Sequence, residues 1–258
     1  MQVYINFGFI DIPSYGAMIT LGVILANIFG IYLLRKAHLD FNDLIILEAY
    51  CFLGAFIGAK GLYLLISARE IYWDKILDPD YFNAIMLSGF VFYGGLIGGL
   101  LFVCLAGKVH SIDAAKYARW YIAFIPFIHA FGRIGCFCAG CCYGKPYDGI
   151  GAVVFPEGSF AIPGVKLFPV QLVEAFMLLC ISFIILYMQL KKKFYYTIEL
   201  YLILYAITRF VLEYFRYDEI RGRFWGFSTS QWISVALAGA SVFMLYRAKN
   251  GNRESCWL

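Results

Sequence analysis

Apolar residues in this chain run in blocks of about twenty, with polar and basic residues gathered between the blocks rather than alternating with them. A run of that length spans the hydrocarbon core of a bilayer as an α-helix. Seven blocks qualify. They cover about Ser14 to Leu34, Leu44 to Ser67, a stretch between Asp80 and Lys108, Ala118 to Cys136, Val170 to Leu190, Thr197 to about Phe215, and Gln231 to Tyr246. The segment before the first block holds no Lys or Arg, and it reads as a short amphipathic stretch rather than a cleavable leader, since no basic residues precede the apolar run. The ends after blocks one, three, five and seven carry Arg35, Lys36, Lys108, Lys191, Lys192, Lys193, Arg247, Lys249 and Arg253. Basic residues favour the cytoplasmic side, so the pattern predicts seven transmembrane helices with the amino terminus outside.

Composition agrees. Of 258 residues, 62% are hydrophobic and 15% charged, with a mean hydropathy of +0.74. A soluble domain keeps about 25% charged residues, so the chain lacks the polar surface of a water-soluble enzyme. The predicted class is an all-α integral membrane protein, 1–258 forming a single transmembrane domain. Residues 143–169, the longest non-spanning stretch, form a small extracytoplasmic loop or hairpin, because 150–155 is β-prone. A formal charge of +4 calls for no nucleic-acid partner. Two expected outer loops nevertheless hold basic residues, Lys145 and Lys166 in one and Arg216, Arg221 and Arg223 in the other. An anionic headgroup at the outer leaflet would account for them.

Ionisable residues inside spans cost about 2.5–3.5 kcal/mol each on insertion scales and mark functional interiors. Arg209, Glu213 and Arg216 are spaced three and four apart, which puts them on one helical face with a net positive charge suited to a phosphate. Gly132-Arg133-Ile134-Gly135 sets an arginine between glycines, and His129 lies one turn earlier. That histidine suits a proton acceptor, or equally an interhelical hydrogen bond. Tyr93-Gly94-Gly95-Leu96-Ile97-Gly98-Gly99 has the small-xxx-small spacing of close helix packing. The same groove would admit a lipid chain. Cys136, Cys138, Cys141 and Cys142 place four thiols in seven residues, able to bind metal, to pair, or to act as nucleophiles. With no second Cys or His cluster nearby, the sequence points away from metal.

Taken in order, these motifs resemble the prolipoprotein diacylglyceryl transferase family. Ser14-Tyr15-Gly16 is similar to its first-helix motif, and Tyr93 to Gly99 to its His-Gly-Gly-Leu-Ile-Gly-Gly segment. Gly132 to Gly135 with Phe137, Gly140, Tyr143, Gly144 and Pro146 resembles the signature around its essential arginine. Pro169-Val-Gln171-Leu-Val-Glu174, Arg209-Phe-x-x-Glu213-x-Phe-Arg216 and Ser228 to Gln231 complete the match. The resemblance implies an enzyme of the bacterial inner membrane. Such an enzyme moves the diacylglyceryl group of phosphatidylglycerol to the lipobox cysteine of a prolipoprotein and releases glycerol 1-phosphate. It also implies that Arg133 and Arg209 grip the phosphate, that Glu213 holds Arg209, that Tyr15, Lys60, Gly94, Gly95, Gln171, Glu174 and Arg216 shape the substrate site, and that no metal or organic cofactor is needed.

The chain departs from the family at several positions. Tyr93 replaces a histidine, Cys136, Ala139 and Cys141 stand for two Asn and a Glu, Lys60 replaces an arginine, and Arg119 an acidic residue. Proton acceptance then falls to His129 or Tyr93. Three other readings stay open: a homologue with the same lipid site but another acceptor or donor, a transporter, and a thiol-redox membrane protein.

Overall fold

The computed structural model describes residues 3–6, 8, 11–192, 196–217 and 223–250. Lys193, Arg221 and Arg253, counted above among the basic residues, lie outside them. Nine α-helices are present among the described residues: α1 (Ser14–Lys36), α2 (Phe41–Ile66), α3 (Pro79–Leu87), α4 (Phe92–Val109), α5 (Ala114–Tyr121), α6 (Phe124–Ala139), α7 (Val170–Lys192), α8 (Thr197–Leu212) and α9 (Thr229–Asn250). Three antiparallel hairpins join short strands: β1 (Tyr4–Asn6) with β2 (Asp11–Pro13), β3 (Val153–Val154) with β4 (Lys166–Leu167), and β5 (Arg223–Phe224) with β6 (Phe227–Ser228). Helices α1, α2, α4 and α7 are long and apolar enough to cross a membrane, and α5 with α6 makes a fifth such segment if the bent pair is one span. Helices α8 and α9, the expected sixth and seventh spans, are not among these.

The chain divides into two compact units, Met1–Leu33 with Ala118–Leu258, and Leu34–Tyr117. In the smaller unit, α2 begins at Asp40, whose carboxylate accepts from the Asn42 amide at 2.9 Å. Helix α2 meets α4 through glycines on both sides. A Cβ on Gly58 or Gly94 would overlap the other residue's carbonyl, and Gly54 and Gly98 form the same reciprocal contact. Small residues at this spacing let backbones touch, and dispersion contacts then hold helices together in lipid. The packing reading of the Tyr93–Gly99 stripe therefore holds for Gly94 and Gly98, with Gly54 and Gly58 as the partners.

Two expected spans are broken. The third, expected as one helix between Asp80 and Lys108, divides into α3 and α4, and Gly89 turns the chain with φ 57°. A gap of this kind survives only where its backbone groups find partners. Here the Lys60 ammonium donates to the carbonyls of Ile85 and Ser88, while the Val91 amide donates to Ala59 O at 3.1 Å. A cation beside the last carbonyls of α3 also suits the helix dipole. The fourth span bends by 60° between α5 and α6. Pro126 explains it, having no N–H to give and no room for the carbonyl four residues back. The Ser182 hydroxyl donates to the carbonyl of Ala123 at the break, at 2.8 Å.

In the larger unit, Ile122 and Ala123 at the bend pack with Ile181 and Ile185 of α7 and Tyr201 of α8. Farther along, Ala130 of α6 packs with Ala175 and Leu178 of α7. Small residues at 130 and 175 bring these two helices close where Arg133 and Glu174 follow. The 143–169 segment carries the β3–β4 hairpin over its own cluster of Phe155, Ala161 and Leu167.

Candidate active site

Glu174 is the buried centre of the site. Its carboxylate is 1% exposed, with Oε1 2.9 Å from Arg133 Nη2 and Oε2 3.9 Å from Arg209 Nη1. Arginines from α6 and α8 thus meet on one carboxylate from α7. Glu213 continues the chain of charges. Its Oε2 lies 2.9 Å from Arg209 Nη2 and 3.8 Å from Arg216 Nε, and its Oε1 accepts from the Ser228 hydroxyl at 2.9 Å. Three guanidiniums against two carboxylates leave one net positive charge, all on side chains that are nearly or fully buried.

The shape of α8 differs from expectation in a way that matters here. The helix ends at Leu212, Glu213 opens a 3₁₀ turn to Phe215, and Arg216 is extended. The spacing argument for one helical face therefore applies to Arg209 and Glu213, whereas Arg216 is brought in by the loop. Its backbone pairs with Gly144, the Lys145 amide donates to Phe215 O at 2.9 Å, and the rings of Tyr143 and Tyr217 stack. Helix α9 supports the other side with a reciprocal cap. Ser228 Oγ accepts from the Gln231 amide at 3.2 Å, and Gln231 Oε1 accepts from the Ser228 amide at 3.0 Å. Ser230 on the same first turn accepts from Arg209 Nη2 at 3.1 Å.

Two donors stand out. Arg133 Nε and Arg209 Nη1 are buried and make no hydrogen bond. A buried donor without an acceptor costs more than a neutral one would, because guanidinium is charged, and both belong to the arginines that share Glu174. Such donors suit an anionic oxygen ligand.

Around this core, Gln171 donates from Nε2 to Cys141 O at 2.8 Å. Tyr15 is half exposed, and its backbone lies directly against Gly135, where a Cβ would come within 2.9 Å of it. His129 sets its ring 5.5 Å from that of Tyr205. Tyr205 and the serines 228 and 230 were not singled out as site residues from the sequence. The two serines had a signal in the Ser228-x-x-Gln231 capping pattern, and Tyr205 had none. Lys60, Tyr93, Gly94 and Gly95 belong to the smaller unit, where Lys60 serves the α3 carbonyls, Gly94 serves packing, and Tyr93 is half exposed beside Phe92.

The thiols are placed by the end of α6. Gly140 adopts φ 75°, its amide donates to Phe137 O at 3.2 Å, and the Cys141 amide donates to Cys136 O at 3.1 Å. This is the Schellman arrangement, which brings the side chains of the residues at its two ends together. Here those residues are Cys136 and Cys141. Cys142 follows with φ 56°, a left-handed conformation unusual for a residue with a Cβ. The sulfurs of Cys136, Cys141 and Cys142 all lie within 4.8 Å of one another, and Cys138 is not part of the group. Cys142, just past the helix, is held well below the usual thiol range by hydrogen bonds from Cys136 and Cys141 and by the guanidiniums of Arg216 and Arg133.

The family model described as prolipoprotein diacylglyceryl transferase matches residues 2–247. The chain belongs to that family. A phosphatidylglycerol–prolipoprotein diacylglyceryl transferase of Clostridium tetani is 33% identical over 241 residues, covering 92% of this chain and 94% of its own. A second from Clostridium perfringens is 31% identical over 252 residues, 95% of each chain, and one from Pasteurella multocida is 29% identical over 264 residues. Family membership and the long apolar helices together make the chain a helical membrane protein.

Proposed function

We infer that this protein moves the diacylglyceryl group of phosphatidylglycerol to the lipobox cysteine thiol of a prolipoprotein, releasing glycerol 1-phosphate. The observation that carries the reading is the pair of arginines on Glu174, each with a buried donor lacking an acceptor. In the reaction the thiol sulfur attacks the glycerol carbon bearing the phosphate, and the carbon–oxygen bond to phosphate breaks. The departing oxygen takes the electron pair. Arg133 and Arg209 stabilise that charge, since donors fixed before the reaction need no reorganisation during it. Glu174 and Glu213 hold the two guanidiniums in place, Arg216 adds buried positive charge beside Glu213, and His129 accepts the thiol proton. Tyr15 and Gln171 border the site.

Seven spans, with α8 and α9 as the last two, an outward amino terminus and the 143–169 segment outside, fit the distribution of Lys and Arg along the chain. An inner-membrane location and a single domain over 1–258 follow from the same reading.

Purified protein in phosphatidylglycerol vesicles with a lipobox peptide should yield a thioether product by mass spectrometry. Arg133→Ala and Arg209→Ala should each lower the rate by about 10²–10³, the cost of removing one donor from a developing oxyanion. No product from the wild type would overturn the reading. The cysteines at 136 and 141 favour one variation, the same lipid site serving another thiol acceptor. Product with a peptide lacking the lipobox, and none with the lipobox, would select it.

A further inference from the structure

We propose that Cys136, Cys141 and Cys142 form a three-thiolate Zn²⁺ site whose fourth position receives the acceptor thiol. The proposal rests on the function inferred above and names how the nucleophile is prepared. Its basis is geometric. The Schellman end of α6 brings Cys136 and Cys141 together, and the left-handed Cys142 returns the next thiol to the same spot. With a Zn–S length of about 2.3 Å, tetrahedral sulfurs stand about 3.8 Å apart, inside the 4.8 Å spread of the three.

The donor set selects the ion. Thiolates favour zinc and copper(I) over harder cations, and three protein ligands with one open position are the pattern of catalytic rather than structural zinc. Charge agrees as well. Three thiolates on Zn²⁺ carry one net negative charge, and the guanidiniums of Arg133 and Arg216 lie within electrostatic reach of Cys142. Gln171 fixes the carbonyl of Cys141 and so holds the loop that carries two of the ligands. The sequence argued against metal for want of a second cluster. The helix end removes that objection, because residues five apart already converge.

The chemistry then balances. The acceptor thiol replaces hydroxide on the zinc, and that hydroxide carries the thiol proton away as water, so that zinc takes this step over from His129. The resulting thiolate attacks the glycerol carbon, and glycerol phosphate leaves with the electrons of the broken bond. A thiol bound to zinc is deprotonated outright, which supplies the activation that the replaced polar groups would otherwise provide. Cys136 and Cys142 lie within electrostatic reach of Arg133, one of the two arginines read as holding the phosphate.

Cobalt(II) is the probe, because thiolate ligation gives it a charge-transfer absorption. Full-length protein, reduced and stripped with chelator, should bind one cobalt per chain with that band, and zinc should displace it. Cys138→Ser should titrate as wild type does. Cys136→Ser, Cys141→Ser and Cys142→Ser should each bind more than about a hundredfold more weakly, a larger cost than that of losing an outer-shell partner. Adding lipobox peptide should shift the band, and the same peptide with serine for cysteine should not. This reading involves no turnover, so a chain that binds cobalt and peptide thiol without transferring lipid would sink the transferase reading and leave the site standing. Equal binding by the triple serine variant, loss of two free thiols to a disulfide in the wild type, or a band indifferent to peptide would overturn the proposal.

Discussion

At the residue scale the site turns on one carboxylate. Glu174 is 1% exposed and paired to two arginines, so removing it leaves buried cations uncompensated. Glu174→Ala should lower stability by about 3–5 kcal/mol, read as a fall in Tm by differential scanning fluorimetry in detergent. Glu213 has a second support in Ser228, and Ser228→Ala should cost about 1 kcal/mol through the lost helix cap. That variant should also lower the transfer rate, through a looser Arg209, without raising lipid KM in step. Among the metal-free thiols Cys142 titrates low, so its thiolate persists as pH falls below the ordinary thiol value of 9.0. Alkylation of Cys142 by iodoacetamide, followed by peptide mass spectrometry, should therefore fall off at a lower pH than that of free cysteine. Slowing in parallel would show that the neighbouring thiols and guanidiniums exert no such hold.

At the scale of elements, legibility followed the range of the interaction. The Arg209–Glu213 pair was readable because i,i+4 contacts are local, and Gly94 with Gly98 because a small-residue spacing is a pattern within one helix. Gly54 and Gly58 escaped notice although they are the other half of the same contact. Pro126 offered an open signal for the α5–α6 bend, but an apolar run from 118 to 136 looked continuous. The α3–α4 break was hidden for another reason. Its backbone is satisfied by Lys60 and Ala59 from a different helix, and no local pattern reports a partner that distant. Gly58→Leu should separate α2 from α4, since the new side chain would occupy the Gly94 carbonyl. Faster proteolysis within 34–117 would register it, and unchanged protection would refute the close contact.

For the molecule as a whole, the membrane class was legible from composition, and the family from motifs that remain in order along 2–247. What spacing could not supply was the meeting of Arg133, Glu174 and Arg209, because three helices and their small-residue contacts at Ala130 and Ala175 determine it. Orientation is open to direct measurement. In intact cells, Asp148→Cys should react with a membrane-impermeant maleimide, while Arg35→Cys should react only after lysis. The reverse pattern would invert the topology.

The shared carboxylate also has a bearing on ligand entry. Its two oxygens sit at nearly the separation of two oxygens on a phosphate, and an arginine rests against each. Glu174 therefore works as a spacer gauge, fixing in advance the distance between the two guanidiniums that any anion shared by both would meet.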